Sequence, residues 1–194
     1  MPQSIQKMAD QGNEGLLSPY LKKKRLQAAA SHLQGRVLDF GCGSGGLAEF
    51  VQPDMYLGVD MDEISIQQAK RKHPLHTFVQ KIPADAGKFE AIVALAVIEH
   101  VEKPAAFLVY LKGYLSDSPS ARMVITTPHP LVDWVHTVGS RIGLFSRHAN
   151  EEHKDLLGLT QLRKTGATAL LEMANYGRFL FGANQIAIYK KINS

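Results

Sequence analysis

The chain has 194 residues, of which 45% are hydrophobic and 21% charged, and this suits a single soluble α/β domain with a sizeable core. This length leaves no room for a nucleotide-binding domain beside a separate substrate domain of ordinary size. The net charge of +4 is too weak to indicate a nucleic-acid-binding protein. No apolar run is long enough to span a bilayer. The single cysteine excludes an intramolecular disulfide framework and a cysteine-based zinc cluster.

The first part of the chain combines a polar stretch, residues 1–18, with a pattern that predicts a helix over residues 19–33. The opening residues lack the apolar core of a signal peptide, so we expect a cytoplasmic protein. The basic run at residues 22–25 falls in the predicted helix. It indicates a solvated helix face, with a phosphate-binding patch as the alternative.

The most informative stretch is V-L-D-F-G-C-G-S-G-G at residues 37–46. Apolar residues surround Asp39, which predicts a short buried strand, and a helix is predicted to start at Gly46. Gly41, Gly43 and Gly46 match G-x-G-x-x-G, the dinucleotide fingerprint. Glycine tolerates positive φ and lets a ligand lie on the backbone, and ligands bind at the carboxyl ends of strands in open α/β sheets. The stretch therefore predicts a ligand-binding turn.

The charge of Asp39 distinguishes two kinds of ligand. A carboxylate here would repel a pyrophosphate at the helix N-terminus but attract a cationic ligand, and S-adenosylmethionine carries an ammonium and a sulfonium. The stretch resembles the first motif of class I S-adenosylmethionine-dependent methyltransferases, roughly apolar-apolar-D/E-x-G-x-G-x-G. The resemblance implies S-adenosylmethionine as cofactor, with a binding turn that includes Asp39, Gly41, Cys42, Gly43 and Gly45.

An acidic residue, Asp60, ends the second predicted strand, residues 56–59. It follows Gly41 by roughly 20 residues, the spacing at which an acid meets the ribose hydroxyls of a nucleotide cofactor. Both NAD and S-adenosylmethionine need this residue, so it does not separate them. Asp62 is predicted to cap the next helix, residues 63–72, through its carboxylate.

The third predicted strand, residues 77–80, departs from the family pattern. The family usually has an acidic residue just after this strand, near the adenine amino group, but this chain has Gln80 and Lys81. Asp85 and the backbone around Ile82 are the alternatives for the adenine contact. The resemblance places four further residues at the cofactor: Met61, Ile82, Leu95 and Ala96.

The central strand is predicted over residues 89–95, because this run is almost continuously apolar, as in a strand covered on both faces. Residues 89–100 resemble the F-D-x-[VI]-x-x-x-x-[VM]-[IL]-E-H segment of small-molecule methyltransferases, including quinone-biosynthesis O-methyltransferases, with Glu90 in place of aspartate. A helix is predicted over residues 104–115 and a fifth strand over residues 122–127.

The stretch at residues 129–150 is irregular, and we interpret it as a segment that covers the substrate, with a plain surface connection as the alternative. The rest of the chain predicts a helix over residues 151–166 and two strands over residues 168–174 and 184–189, with Gly177 and Gly182 in their connection.

The resemblance covers about residues 33–191, nearly the whole chain. It implies a single-domain Rossmann-like α/β fold with helices on both faces of a seven-stranded sheet, in the strand order 3-2-1-4-5-7-6 with the last strand antiparallel. We therefore divide the chain into an N-terminal tail and covering helix, residues 1–33, and a methyltransferase domain, residues 34–194.

The implied reaction is the in-line transfer of a methyl group from the sulfonium to a small-molecule acceptor, at an oxygen atom. A hydroxyl acceptor also needs a base, and imidazole titrates near neutral pH. His100 is the first candidate because it follows the central strand, and His129 and His153 are further candidates. We expect no metal site, because Glu99 and His100 are two adjacent ligands without a third.

Other chemistries are less well supported by the sequence. A cytosine-C5 methyltransferase needs a thiolate nucleophile, but the one thiol, Cys42, lies in the cofactor turn. The N/D-P-P-Y/F segment of amino-methylating DNA enzymes is absent after the fourth predicted strand. Two alternatives stay open, an NAD-dependent oxidoreductase and a cofactor-binding protein without acceptor chemistry. An RNA acceptor, which we do not expect, predicts affinity that falls steeply with salt. The oligomeric state stays unknown.

Overall fold

The computed structural model describes residues 18–130 and 157–192. These residues form a seven-stranded sheet in the order β3-β2-β1-β4-β5-β7-β6. Strands β1 to β5 are parallel where they pair, and β7 is antiparallel to both β5 and β6. The predicted fold class is confirmed. The strands are β1 Val37–Phe40, β2 Tyr56–Val59, β3 Thr77–Val79, β4 Ala91–Leu95, β5 Arg122–Pro128, β6 Leu171–Phe179 and β7 Asn184–Lys191.

Helices cover both faces of this sheet. Within the described ranges the α-helices are α1 Ser18–Ala30, α2 Glu63–Lys72, α3 Pro104–Lys112 and α4 Leu159–Thr168, and the short 3-10 helices are Gly46–Phe50, Pro53–Met55 and Ile98–His100. The buried residues of α1, α2 and the first 3-10 helix pack on one face of the sheet, and those of α3 and α4 pack on the other.

Strand β4 lies at the centre and contributes to both hydrophobic cores. Ile92 and Ala94 belong to the core under α3 and α4, whereas Ala91 and Val93 belong to the core under α1 and α2, and all four are fully buried. Burying a side chain the size of Ile92 contributes about 1.5–3 kcal/mol. This alternation explains why the sequence of the strand is apolar at every position.

The turn after β1 leads into a shorter helix than the sequence predicts. A 3-10 helix, Gly46–Phe50, replaces the longer helix that was expected to start at Gly46. Gln52 is extended, with φ −61° and ψ 142°, because the proline that follows it disfavours the helical region. A second 3-10 helix, Pro53–Met55, then leads directly into β2.

The predicted boundaries near the end of the chain were partly wrong. Thr168 is the last residue of α4 and not part of a strand, and the chain turns at Leu170, whose φ is 56°, before β6 begins. Gly177 lies inside β6 and not in the connection, since it pairs in register with Ile186 of β7. The predicted start of the helix at residue 151 and most of the irregular stretch, from residue 131 on, lie outside the described residues.

Candidate active site

The glycine turn leaves the carboxyl end of β1 and lies against the end of β2. The backbone N–H groups of Gly41 and Cys42 donate to the Val59 carbonyl, at 2.7 and 3.1 Å. A methyl group on Gly41 would come within 2.5 Å of Val97 Cγ2, whereas one on Gly43 would meet nothing within 4 Å. The turn is therefore closely packed at Gly41 and open at Gly43, where a ligand can lie on the backbone.

Asp39 lies beneath this turn. Its side chain is only 3% exposed, and its Oδ2 accepts a hydrogen bond of 2.7 Å from the Tyr56 hydroxyl. Burial raises the pKa of Asp39 to about 7, although the Tyr56 hydrogen bond acts in the opposite direction. This hydrogen bond therefore links β1 to β2 beneath the turn.

Asp60 lies at the end of β2, beside the open part of the turn. Its Oδ2 accepts a hydrogen bond from the Gly43 N–H at 2.8 Å, and its Oδ1 accepts one from the Asp62 N–H at 2.9 Å. A carboxylate has about four acceptor positions, so Asp60 keeps lone pairs for the hydroxyls of a ligand. As predicted, Asp62 caps α2, accepting hydrogen bonds from Ile64 and Ser65.

Helix α1 contributes two basic side chains to this edge of the sheet. Lys22 Nζ donates to Ser44 Oγ in the turn at 3.1 Å, and Arg25, one helical turn later, donates from Nε to Asn184 Oδ1 at 2.9 Å. Asn184 begins β7 and is only 4% exposed. The predicted solvated face therefore holds for the exposed Lys23, but not for the half-buried Arg25.

Glu99 lies in the 3-10 helix that follows β4. Burial raises the pKa of Glu99 to about 7, and its own backbone, the Thr127 hydroxyl and the Arg25 guanidinium act in the opposite direction. Its Oε2 is buried and makes no hydrogen bond to any described residue. The hydroxyls of Thr126 and Thr127 are likewise buried and have no hydrogen-bond partner among the described residues. The Thr127 hydroxyl thus lies close enough to influence Glu99 but outside hydrogen-bonding geometry.

Of the three histidines predicted as acid–base groups, two lie among the described residues, one in the 3-10 helix after β4 and one directly after β5. His100 is exposed, and its backbone N–H donates to the Val97 carbonyl at 3.0 Å. His129 follows β5, and its Nε2 is hydrogen-bonded to Arg178 Nη2. A guanidinium only donates, so the His129 ring is neutral, and burial together with the Arg178 charge lowers its pKa. His153 lies outside the described residues.

The other residues assigned to the cofactor from the sequence differ in how deeply they are buried. Ala96 follows β4 with a φ of 56°, and its N–H donates to the Thr126 carbonyl at 3.0 Å. Met61 is 44% exposed, whereas Ile82 is partly buried against the core under α3. Leu95 packs against the opposite core. Cys42 is buried, and burial raises the pKa of its thiol, so only its backbone is suited to contact a ligand.

Sequence reasoning missed Arg25 and Asn184 and considered Glu99 only as a metal ligand. Arg25 had a usable signal, because it lies three residues after Lys22 and hence on the same face of a helix. Asn184 had none, since its partner is 159 residues away. Among the described residues, no helix is long and apolar enough to cross a membrane, and no group of three or more His, Cys, Asp or Glu side chains could hold a metal ion.

Comparisons with known sequences point to one kind of protein. A family model described as a methyltransferase domain matches residues 14–169. The ubiquinone biosynthesis O-methyltransferase of Pseudomonas aeruginosa is 30% identical in an alignment of 158 residues that covers 64% of this chain and 68% of that protein. The tRNA U34 carboxymethyltransferase of Geobacter sp. (strain M21) is 28% identical in an alignment of 119 residues that covers 55% of this chain and 36% of that protein.

A comparison of structures agrees at the level of the fold. The magnesium protoporphyrin IX methyltransferase of Synechocystis PCC 6803, solved with bound SAH (S-adenosylhomocysteine), has a TM-score of 0.67. The two chains are 17% identical, and the match covers 97% of this chain and 93% of that one. The arrangement of the sheet and its helices is therefore shared over nearly the whole length of both.

Proposed function

Since this chain belongs to the class I S-adenosylmethionine-dependent methyltransferases, we propose that it methylates an oxygen atom of a small molecule. One observation carries the cofactor half of the proposal: the open backbone at Gly43 lies beside the Asp60 carboxylate, which the turn itself holds in position. The O-methyltransferase among its relatives supports oxygen as the accepting atom.

The ends of β1 and β2 fit this cofactor. Gly43 leaves space for a ligand, and the remaining lone pairs of Asp60 suit the two hydroxyls of a ribose, a strong charge-assisted contact. Lys22, at the edge of the turn, suits the carboxylate of the cofactor. We assign the cofactor to the following residues: Asp39, Gly41, Cys42, Gly43, Gly45, Asp60, Met61, Ile82, Leu95 and Ala96.

When bound, S-adenosylmethionine supplies an electrophilic methyl group. The chain has to orient the acceptor, which can contribute roughly 7–11 kcal/mol, and to remove the hydroxyl proton. Glu99 suits this second task, because its Oε2 has no partner among the described residues and its pKa of about 7 lets it accept a proton at neutral pH.

The histidines take a lesser part in this proposal. His100, exposed beside Glu99, is assigned to contact with the acceptor. His129 is less suited to act as a base, because its Nε2 already accepts a hydrogen bond from Arg178. For His153 the assignment rests on the sequence alone.

Calorimetric titration with S-adenosylhomocysteine, and separately with NAD, tests the cofactor half of the proposal. We expect micromolar binding of S-adenosylhomocysteine and none of NAD. Asp60→Ala should weaken that binding by about 10- to 100-fold, since hydrogen bonds to a charged group are worth roughly 1.5–3 kcal/mol. Asp62→Ala is the matched control and should bind normally. Binding of NAD alone would contradict the proposal.

Turnover with two kinds of acceptor tests the other half. We expect methylation of small hydroxylated compounds, measured as S-adenosylhomocysteine formed, with little dependence on salt. One relative acts on tRNA, as its name states, so a tRNA preparation is the natural competitor. Methylation of tRNA alone, with an affinity that falls steeply as salt is raised, would contradict a small-molecule acceptor.

A further inference from the structure

The carboxyl ends of β4 and β5 hold buried polar atoms for which the described residues provide no partner. These are Glu99 Oε2 and the hydroxyls of Thr126 and Thr127, and the two threonines are 0% and 1% exposed. A buried polar atom without a hydrogen bond is destabilising, so such atoms are normally paired with protein, water or a ligand. Consecutive strand residues face opposite sides of a sheet, and of the two hydroxyls that of Thr127 acts on Glu99. The buried Glu99 Oε2 and Thr127 hydroxyl thus indicate a region that a ligand completes.

Arg25 brings a positive charge to the same region. Its Nε is fixed by Asn184, which pairs in register with Pro128 at the end of β5. Burial lowers the pKa of Arg25, and the charge of Glu99 acts in the opposite direction, so the two side chains interact electrostatically. Among the described residues, none accepts a hydrogen bond from the two Nη atoms of Arg25, and none forms an ion pair with it.

We infer that this region binds acceptors that carry a carboxylate near the hydroxyl to be methylated, an inference that rests on the proposed function. A guanidinium presents parallel N–H donors that match the two oxygens of a carboxylate. Glu99 Oε2 then accepts a hydrogen bond from the acceptor hydroxyl, and the Thr127 hydroxyl bonds a neighbouring polar atom of the acceptor. The substrate class is therefore a hydroxy acid.

The cofactor also carries a carboxylate, but a different cation serves it. Lys22 donates to Ser44 in the glycine turn, and its charge acts on Asp39 below the turn. Arg25 lies one helical turn further on, and its charge acts on Glu99. Helix α1 therefore presents two cations to two neighbouring places, one at the cofactor turn and one beyond it.

Titration with two cofactor analogues distinguishes the roles of these two cations. S-adenosylhomocysteine carries the amino-acid carboxylate, whereas 5′-methylthioadenosine lacks it. We expect Arg25→Gln to bind both with wild-type affinity, within about twofold. If Arg25→Gln weakens S-adenosylhomocysteine by about tenfold or more and leaves 5′-methylthioadenosine unchanged, Arg25 serves the cofactor and the inference is overturned.

Titration of the protein loaded with S-adenosylhomocysteine then tests the carboxylate directly. The probes are 3,4-dihydroxybenzoate and its neutral amide, 3,4-dihydroxybenzamide. We expect the wild type to bind the acid at least about tenfold more tightly than the amide, and Arg25→Gln to lose this preference. Arg25→Lys, which keeps the positive charge but lacks the parallel N–H donors of a guanidinium, should retain part of this preference. Lys23→Gln, which removes an exposed charge from the same helix, should retain all of it.

Several outcomes contradict the inference. These are equal binding of acid and amide, no saturable binding of the acid at millimolar concentration, and a preference that survives in Arg25→Gln. Displacement of the acid by inorganic phosphate at the same concentration would assign the site to phosphate instead of carboxylate. Methylation of catechol or the amide as fast as the acid would reject the hydroxy acid and leave the proposed function intact. No methylation of any oxygen acceptor, with S-adenosylhomocysteine still bound, would reject the proposed function itself.

Discussion

The two halves of the candidate site differ in how far the chain satisfies its own polar groups. At the ends of β1 and β2, Asp39 accepts a hydrogen bond from Tyr56, and Asp60 accepts one from Gly43. At the ends of β4 and β5, Glu99 Oε2 and two threonine hydroxyls have no partner among the described residues.

This difference indicates that the cofactor half is formed by the chain alone, whereas the acceptor half is completed by what binds there. A site held by its own hydrogen bonds loses little free energy to ordering when the ligand arrives. Substitutions in the first half should therefore change stability and cofactor affinity, and substitutions in the second half should change turnover and the choice of acceptor.

The largest effect that would test this comparison is expected at Glu99. Glu99→Gln should lower turnover of 3,4-dihydroxybenzoate by about 10²- to 10⁴-fold, because the substitution removes the base. In the wild type the rate should rise with pH through about 7, as Glu99 loses its proton, and the variant should lack this rise. Affinity for S-adenosylhomocysteine serves as the control and should not change. A wild-type pH profile in the variant would assign the base elsewhere.

The next effect lies in the cofactor half, at Gly41. Gly41→Ala should lower the free energy of unfolding by about 2–4 kcal/mol, from overpacking against Val97 together with a φ of 77°. Gly43→Ala is the matched variant, with positive φ but open space, and should cost only about 1–2 kcal/mol. Urea denaturation measures both. Equal losses would mean that the turn is not packed at Gly41.

A smaller effect, seen as a pH dependence, is expected at Asp39. Burial raises its pKa to about 7 in the folded protein, so the folded state favours the neutral carboxyl. Its contribution to stability is thus present below pH about 4 and is lost as pH rises to about 7. Asp39→Asn should flatten this decline and gain about 1–2 kcal/mol over the wild type at pH 8. A decline that is as steep in the variant would show that Asp39 is ionised throughout.

The smallest effect is expected at Asp62. Its side chain caps α2, whereas its contact with Asp60 is made by the backbone N–H, which a substitution leaves in place. Asp62→Ala should cost about 1 kcal/mol of stability, the usual loss of an N-cap. Its affinity for S-adenosylhomocysteine should stay within about twofold of the wild type. A large loss of affinity would mean that the position of Asp60 depends on the cap, and that the cofactor half is less rigid than its hydrogen bonds indicate.

The sequence predicted best what is set by neighbouring residues. Helix α2 and its cap at Asp62 are confirmed because both depend on a few consecutive side chains. Strand β4 is confirmed because apolar residues at every position indicate burial on both faces. The order of the strands came from the family resemblance, and the sheet agrees with it.

What the sequence could not predict depends on contacts between distant parts of the chain. The sequence predicts Gly177 in a connection, because a glycine signals a turn unless the pairing of the strand with β7 is known. Arg25 was assigned to solvent, because nothing near it in sequence shows that Asn184 accepts its hydrogen bond. The domain division at residue 34 and the roles of the site residues stay predictions.

The hydrogen bond between Arg25 and Asn184 also bears on the order in which the protein matures. Helix α1 leaves the ribosome early, but its partner in β7 is synthesised 159 residues later. The entropy of closing so long a loop grows only slowly with its length, yet contacts between distant residues slow folding. The proposed acceptor half therefore stays incomplete until β7 has been synthesised, whereas the glycine turn finds its partners Val59 and Asp60 within the first third of the chain.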